Sequence, residues 1–325
     1  MFLNKKITIT GGTGFWGQEF ARQLLEKGAE KVVVFSRNEC AQVLMKRQFH
    51  NSKLKFILGD IRDAKAINEA CEGIDYVIHT AALKHGNKCE EQPREAVKTN
   101  IVGTQNVIDA CIANHVAMCV NISSDKACEP VCFYGKTKAI VEGLITEANN
   151  QTLDTDFISI RSGNILGSSA SVVPIWIEQI KRANSINLTG DLMRRFFITA
   201  KDAVKYTFEA MQMADRGEIF ALRMPAFYIT DLAKMLVSLY GNNKTVINKT
   251  GACSWERNIE WLVASEETRR SEKRKHFYII YPTIQIRTSS YPVIVDPPKT
   301  VCMQDAPDED PAKLRKMLIK AGFCG

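Results

Sequence analysis

A short apolar strand that runs into a glycine-rich turn and then an amphipathic helix constrains this chain most. Residues 5–10 read Lys-Lys-Ile-Thr-Ile-Thr, and Gly11-Gly12-Thr13-Gly14-Phe15-Trp16-Gly17 follows. Phe20, Leu24 and Leu25 then fall on one helical face. Strand, glycine turn and helix in that order open a sheet that binds dinucleotides. Glycine at 11, 14 and 17 permits a tight turn. It also lets the backbone around Thr13, Phe15 and Trp16 approach a pyrophosphate, to which the helix N-terminus adds partial positive charge. An ordinary glycine turn can have the same spacing, so the reading depends on what comes next.

What comes next keeps the order of a doubly wound sheet. The second strand, 31–35, ends in Phe35-Ser36-Arg37-Asn38, with no acid before Glu39. An NAD site usually carries an acid there for the ribose 2′-hydroxyl. Ser36 and Arg37 can instead donate to a 2′-phosphate, so NADP is the expected cofactor. Arg37 as a plain solvated loop residue is the alternative. The third strand, 54–58, ends in Gly59-Asp60-Ile61, where Asp60 can meet an adenine amino group. The fourth, 76–79, ends in Thr80-Ala81-Ala82-Leu83-Lys84-His85, whose small residues let a cofactor lie close, and Asn100 sits in the next helix. The fifth, 119–122, runs into Ser123-Ser124-Asp125-Lys126. These strand-end candidates all stand where open α/β sheets bind ligands.

Tyr134 and Lys138 lie one turn apart on one helix face. There the lysine ammonium can lower the phenol pKa and help hold a cofactor ribose. Alone, the pair also fits an exposed face of a lysine-rich helix. Asp125 and Lys126 add a second acid and a second base, or else form a structural ion pair. A plain alcohol dehydrogenase needs only the Tyr/Lys pair. Two acid–base pairs point to an oxidation followed by a second proton transfer, such as an elimination.

Composition narrows the class. The 325 residues are 45% hydrophobic, enough for one large domain or two unequal lobes. No run of about 20 apolar residues is present, so no membrane span is expected. The first strand begins almost at once, leaving no room for a signal peptide, and a cytoplasmic location is expected. Ten cysteines are scattered without a Cys-x-x-Cys pair and five histidines form no cluster, so no metal site is expected. The net charge of +7 is spread along the chain. Its densest run, 269–276, contains Glu272 and lacks interleaved aromatics, which reads as a solvated face rather than a nucleic-acid surface. A basic balance also suits a phosphate-bearing cofactor and an anionic substrate.

The expected fold is α/β, a Rossmann-like doubly wound parallel sheet with a smaller C-terminal substrate lobe. Residues 1–170 form the NADP-binding part, to which later segments return. Residues 171–325 form the substrate lobe, with helices at 175–183, 202–214 and 230–240, and an irregular proline-rich tail closed by a helix over 311–321.

The motifs together resemble the extended short-chain dehydrogenase/reductases, and within them the inverting UDP-N-acetylglucosamine 4,6-dehydratases of bacterial surface-glycan (pseudaminic acid and capsule) biosynthesis. The matching pieces are Thr10-Gly11-Gly12-Thr13-Gly14, Phe35-Ser36-Arg37, Gly59-Asp60-Ile61-Arg62-Asp63, Ala81-Ala82-Leu83-Lys84-His85, Ser124-Asp125-Lys126-Ala127, Tyr134-Gly135-Lys136-Thr137-Lys138, Gly163-Asn164-Ile165-Leu166-Gly167-Ser168, Ser171-Val172-Val173-Pro174 and Arg195-Phe196-Phe197-Ile198-Thr199. The Asp-Lys-Ala and Ala-Ala-Leu-Lys-His pieces are specific to this branch.

The resemblance implies a lyase acting on a UDP-sugar. Tyr134 takes the proton of the 4-hydroxyl while carbon 4 is oxidised, Lys126 removes the proton on carbon 5, and Asp125 protonates the departing 6-hydroxyl. Hydride returns to carbon 6 and carbon 5 is inverted. Lys126 must then be neutral and Asp125 protonated, which a simple ion pair between them opposes. The resemblance also assigns Lys84, Ser123 and Ile165 to the cofactor, and Lys84, Asn164, Val173 and Arg195 to the sugar nucleotide. An epimerase or 4-keto reductase on the same fold would lack the Asp-Lys pair; a cofactor-binding regulator would not need all four side chains.

The chain departs from the family where Arg-Pro-Gly-Glu-Lys precedes His-Glu. Here the segment reads Cys253-Ser254-Trp255-Glu256-Arg257, then Ile259-Glu260, and Ser169 and Ser162 replace an Arg and a Tyr. Apolar residues on more than one face of the helices after Glu91 and around Tyr134 predict a homo-oligomer, a dimer or larger.

Overall fold

The computed structural model describes residues 1–168, 171–251, 256–287, 289, 291, 292, 294, 298, 301, 302 and 309–323. The first half alternates strand and helix: β1 (Lys6–Thr10), α1 (Phe15–Glu26), β2 (Lys31–Ser36), α2 (Glu39–Phe49), β3 (Leu54–Leu58), α3 (Ala64–Cys71) and β4 (Tyr76–His79). Short helices α4 (Gly86–Glu91) and α5 (Pro93–Ala96) lead through a π-helical stretch, Val97–Val102, into α6 (Gly103–Ala113). Then come β5 (Met118–Ile122), α7 (Phe133–Ala148), β6 (Asp156–Arg161) and β7 (Asn164–Ile165).

These strands read as near-continuous apolar runs because both faces of the sheet are covered by helices. Ile7, Ile9, Val32, Val34 and Val120 pack under α1 and α9 (Ala200–Met213), while Val33, Val77 and Cys119 pack under α3 and α6. Buried His79 is held between the hydroxyls of Thr10 (2.7 Å) and Thr104 (2.9 Å). Burial pushes its pKa down to about 3, so the ring is neutral.

The second half interleaves two destinations. α8 (Val172–Ala183), β8 (Ser185–Thr189), β9 (Arg194–Ile198), β11 (Ala226–Tyr228), α10 (Ile229–Tyr240), β12 (Val246–Thr250) and α11 (Pro311–Lys320) surround a separate core of Trp176, Ile186, Leu188, Leu232, Leu236 and Leu314. β10 (Ile219–Leu222), β14 (Ser271–Lys273) and β15 (Phe277–Ile280) join the first sheet instead. That sheet has the order β14-β15-β10-β6-β5-β4-β1-β2-β3, parallel from β3 to β10, with β15 antiparallel to both its neighbours. In the tail, β13 (Trp261–Val263) pairs with β16 (Val301–Cys302).

One buried charge cluster ties these returns together. Arg161, 1% exposed at the end of β6, bonds Glu142 of α7 and Glu267, each with a contact of 2.7 Å. It also donates to the carbonyl of Leu262 at 2.9 Å. Among the described residues, no helix is long and apolar enough to cross a membrane.

Candidate active site

The carboxyl ends of β1 to β6 open into a cavity of about 570 Å³. The glycine turn forms its floor. Gly11 has φ +66°, and a Cβ there would meet the Ala81 backbone at 2.8 Å. Gly17 does not line the cavity; a Cβ on it would strike Gly12 at 2.5 Å, so it sets how closely α1 packs on the turn. Gly14 precedes α1 with no side-chain cap and no acid in the first turn. The first N–H groups of α1 are thus left for a ligand. This cradle fits the pyrophosphate of a dinucleotide, with Thr13, Phe15 and Trp16 on its rim.

At the far end, Arg37 and Asp60 face each other at 3.5 Å, beside Ile61. Burial raises the proton affinity of Asp60, but hydrogen bonds from Arg62 outweigh it and hold the carboxyl below its ordinary range. Arg37 is 55% exposed. Ser36 is buried and accepts from Gln42 at 3.0 Å, which leaves its own proton to donate. Ala81, Ala82 and Lys84 line the wall after β4. Asn100 stands behind that wall: it accepts from Leu83 N (2.7 Å) and donates to Leu83 O (3.0 Å) and Thr137 (3.0 Å). It lies in the π-helical stretch, a device common at functional sites. Asn100, expected as a cofactor contact, does not itself line the cavity; its amide shapes the 81–85 loop.

Asp125, Lys126, Tyr134 and Lys138 all line the same cavity, with Ser123 and Ile165 beside them. Gly135 makes this possible, because a Cβ there would sit 2.1 Å from Lys126 O. The Tyr134 helix therefore packs directly on the Asp125-Lys126 turn. Cys132 caps that helix, its sulfur accepting from Gly135 N at 3.3 Å.

Lys138 is buried and donates to Ile122 O at 2.7 Å. Burial pulls its pKa down to about 8 against the charge of Glu142. Burial pushes the Tyr134 phenol above its ordinary value, while the charge of Lys126 and a hydrogen bond with Ser124 pull it back. Lys138 is aimed at the end of β5 by its bond to Ile122 O.

Lys126 is held by two carboxylates. Its Nζ lies 3.3 Å from Asp125 Oδ1 and 3.5 Å from Glu260 Oε1. Burial would lower its pKa, but the two carboxylates raise it above the ordinary lysine range. The neutral amine expected from the chemistry is therefore not the resting form. Asp125 is buried, and its Oδ2 has no hydrogen-bond partner among the described residues. It lies close to Gly163, where a Cβ would stand 3.2 Å from it.

Two smaller hollows continue from this point. One of about 220 Å³ is lined by Lys84, Lys126, Tyr134, Arg195, Arg257 and Glu260, among others. The other, about 210 Å³, is lined by Val173, Trp176, Thr189 and Arg195. Asn164 borders the main cavity and both hollows, its amide donating to Phe196 O at 3.2 Å. Lys84 is exposed and has no carboxylate partner among the described residues, yet burial of its amine lowers its pKa. Arg195 is buried and donates to the backbone oxygens of Arg194 (2.8 Å) and Asn258 (3.4 Å).

Glu260 and Arg257 were not among the residues singled out from the sequence. Their signal lay in the segment where Ile259-Glu260 keeps the family's acid but loses its histidine. The departures at Ser169 and 253–255 lie outside the described residues. Ser162 is buried with its hydroxyl 3.8 Å from the Met224 sulfur.

Comparison with known proteins gives a consistent neighbourhood. Residues 7–282 match the family described as polysaccharide biosynthesis protein. The chain is 37% identical to an inverting UDP-N-acetylglucosamine 4,6-dehydratase of Campylobacter jejuni (strain 81-176), covering 88% of this chain and 85% of that one. It is also 37% identical to a UDP-glucose 4-epimerase of Rickettsia canadensis, over 86% and 84% of the two chains. Among solved structures, Pen from Bacillus thuringiensis superposes with a TM-score of 0.92 at 34% identity, covering all of both chains.

Proposed function

The chain belongs to the polysaccharide biosynthesis protein family, and from that membership we propose that it is a sugar-nucleotide 4,6-dehydratase. We infer UDP-N-acetylglucosamine as substrate, NADP as cofactor, inversion at carbon 5 and a cytoplasmic location. The observation that carries the reading is the convergence of two acid–base pairs, Tyr134/Lys138 and Asp125/Lys126, on one cavity at the strand ends. A simple oxidoreductase has no use for the second pair.

The nicotinamide supplies the hydride acceptor and donor. Tyr134 takes the proton of the 4-hydroxyl, its phenolate favoured by the neighbouring Lys126 charge and Ser124. With carbon 4 a ketone, the proton on carbon 5 becomes acidic. Asp125 and Lys126 share one proton, and passing it from the ammonium to the carboxylate creates both required species at once. The neutral amine then removes the carbon 5 proton, and the carboxylic acid protonates the departing 6-hydroxyl. Lys84 and Arg195 meet the sugar nucleotide, with Asn164 at the junction between its sugar and the cofactor. Arg37, open at the rim beside Asp60, supports NADP.

The Rickettsia relative favours a second reading, a 4-epimerase. Anaerobic incubation with UDP-N-acetylglucosamine and no added reductant separates them. A 4-keto-6-deoxy product, lighter by one water, supports the dehydratase; a product of unchanged mass epimerised at carbon 4 overturns it. Val97, Val102 and Ile140 remain exposed on the helices around α6 and α7, which supports pairing of two copies through that face.

A further inference from the structure

The mechanism above needs one proton kept between Asp125 and Lys126. If that proton is lost, the acid is gone; if a second is gained, the base is gone. Glu260 is the third member of this cluster and has no part in the steps so far. Its carboxylate stands 3.5 Å from Lys126 Nζ, as a second carboxylate beside that of Asp125, and the residue is 4% exposed. It arrives from far along the chain, just before β13. Arg161 binds the Leu262 carbonyl at 2.9 Å and clamps that strand to β6 and, through Glu142, to α7. The position of Glu260 is therefore fixed to the same frame that carries Tyr134.

We propose that Glu260 is a positioning residue whose negative charge keeps the single proton of the Asp125–Lys126 pair in place while the pair works. The inference rests on the dehydratase reading. Lys126-NH₃⁺ passes its proton to Asp125, leaving an amine and a carboxylic acid; the amine takes up the substrate proton and becomes an ammonium again. Glu260 remains a carboxylate throughout and faces that ammonium at the start and at the end. The other charges around the cluster are Arg195 on β9 and Arg257 beside Glu260, with the Tyr134 phenol opposite. Arg195 works against retention of the proton, so a second carboxylate is needed to offset it. Burial and the charge of Asp125 raise the proton affinity of Glu260 itself above the ordinary carboxyl range, and Lys126 and the two arginines offset this only in part.

Glu260→Gln keeps the shape and removes the charge. In the NADP-loaded full-length protein with ¹³C-labelled lysines, the Lys126 signal, assigned with Lys126→Met, titrates with a midpoint lower by roughly one pH unit or more in this variant. Turnover relative to the unmutated enzyme then falls toward alkaline pH, with a midpoint that follows the lowered midpoint of Lys126. Glu260→Asp recovers part of both effects, and unchanged NADP affinity shows that the variants are folded. An unmoved midpoint overturns the proposal, as does a loss of turnover that is the same at every pH. If the unmutated enzyme dehydrates no sugar nucleotide, the dehydratase reading fails and the Lys126 midpoint alone decides this one.

Discussion

The cofactor side and the substrate side of this cavity are built by different means. On the cofactor side each side chain follows its strand within a few residues: Gly11 after β1, Arg37 after β2, Asp60 after β3, Ala81 after β4, Ser123 after β5. The sheet's topology alone brings them together. On the substrate side Asn164, Arg195, Arg257 and Glu260 come from separate segments and meet around a hollow of about 220 Å³. What holds them is tertiary: the Arg161–Glu142–Glu267 cluster and the return of β10, β14 and β15 to the first sheet. One half is thus a property of the fold, and the other depends on a few buried contacts.

The sharpest way to break this comparison is to damage one half and look for effects in the other. Lys126→Ala should lower dehydration by about 10³-fold or more and abolish solvent-deuterium incorporation at carbon 5. NADP affinity, read by fluorescence titration, should stay unchanged; a matching loss of cofactor binding would show the halves are not separable. Next in size is Arg161→Met, which leaves Glu142 and Glu267 buried without their partner. Denaturant unfolding should show a loss of roughly 3–5 kcal/mol. The surviving enzyme should lose substrate affinity more than cofactor affinity, because the strand after Glu260 loses its anchor.

Arg37→Asp acts on the cofactor half alone. It should weaken NADP by about 2 kcal/mol, narrowing or reversing a preference over NAD, with the sugar-nucleotide KM unmoved. Equal affinities for both cofactors in the unmutated protein would remove the basis for that assignment.

The effect that is smallest at neutral pH, where it vanishes, concerns the sheet beneath both halves. His79 has a folded pKa of about 3, against about 6.5 in an unfolded chain. Below about pH 6.5 the unfolded state takes up a proton that the native state refuses. Stability is therefore full above that pH and falls by roughly 1.4 kcal/mol per pH unit toward pH 3. Urea unfolding as a function of pH measures the slope, and His79→Gln should flatten it.

The same division explains what the sequence made legible. The glycine turn, the strand ends and the Tyr134 helix follow local rules, and their residues, Gly17 apart, come together around one cavity. The helices at 175–183, 202–214 and 230–240 were visible in their periodicity and begin within about three residues of α8, α9 and α10. The bonds of Asn100 to Leu83 behind the wall were not legible, because no pattern distinguishes an amide facing a cofactor from one bonding a loop backbone. The Lys138 spacing gave the right helix face but could not reveal that Ile122 O claims the ammonium. Glu260 was hidden because its partner, Lys126, is distant in sequence; only the clamped return of the chain puts a second carboxylate there.

The central claim is that oxidation at carbon 4 and elimination across carbons 5 and 6 occur in one cavity. UDP-N-acetylglucosamine carrying deuterium on carbon 4 tests it directly, with the product examined by NMR and mass spectrometry. The account predicts a 4-keto-6-deoxy sugar with that deuterium on carbon 6 and a solvent-derived hydrogen on carbon 5. Deuterium returned to carbon 4 of an epimerised sugar, with the 6-hydroxyl intact, would contradict it.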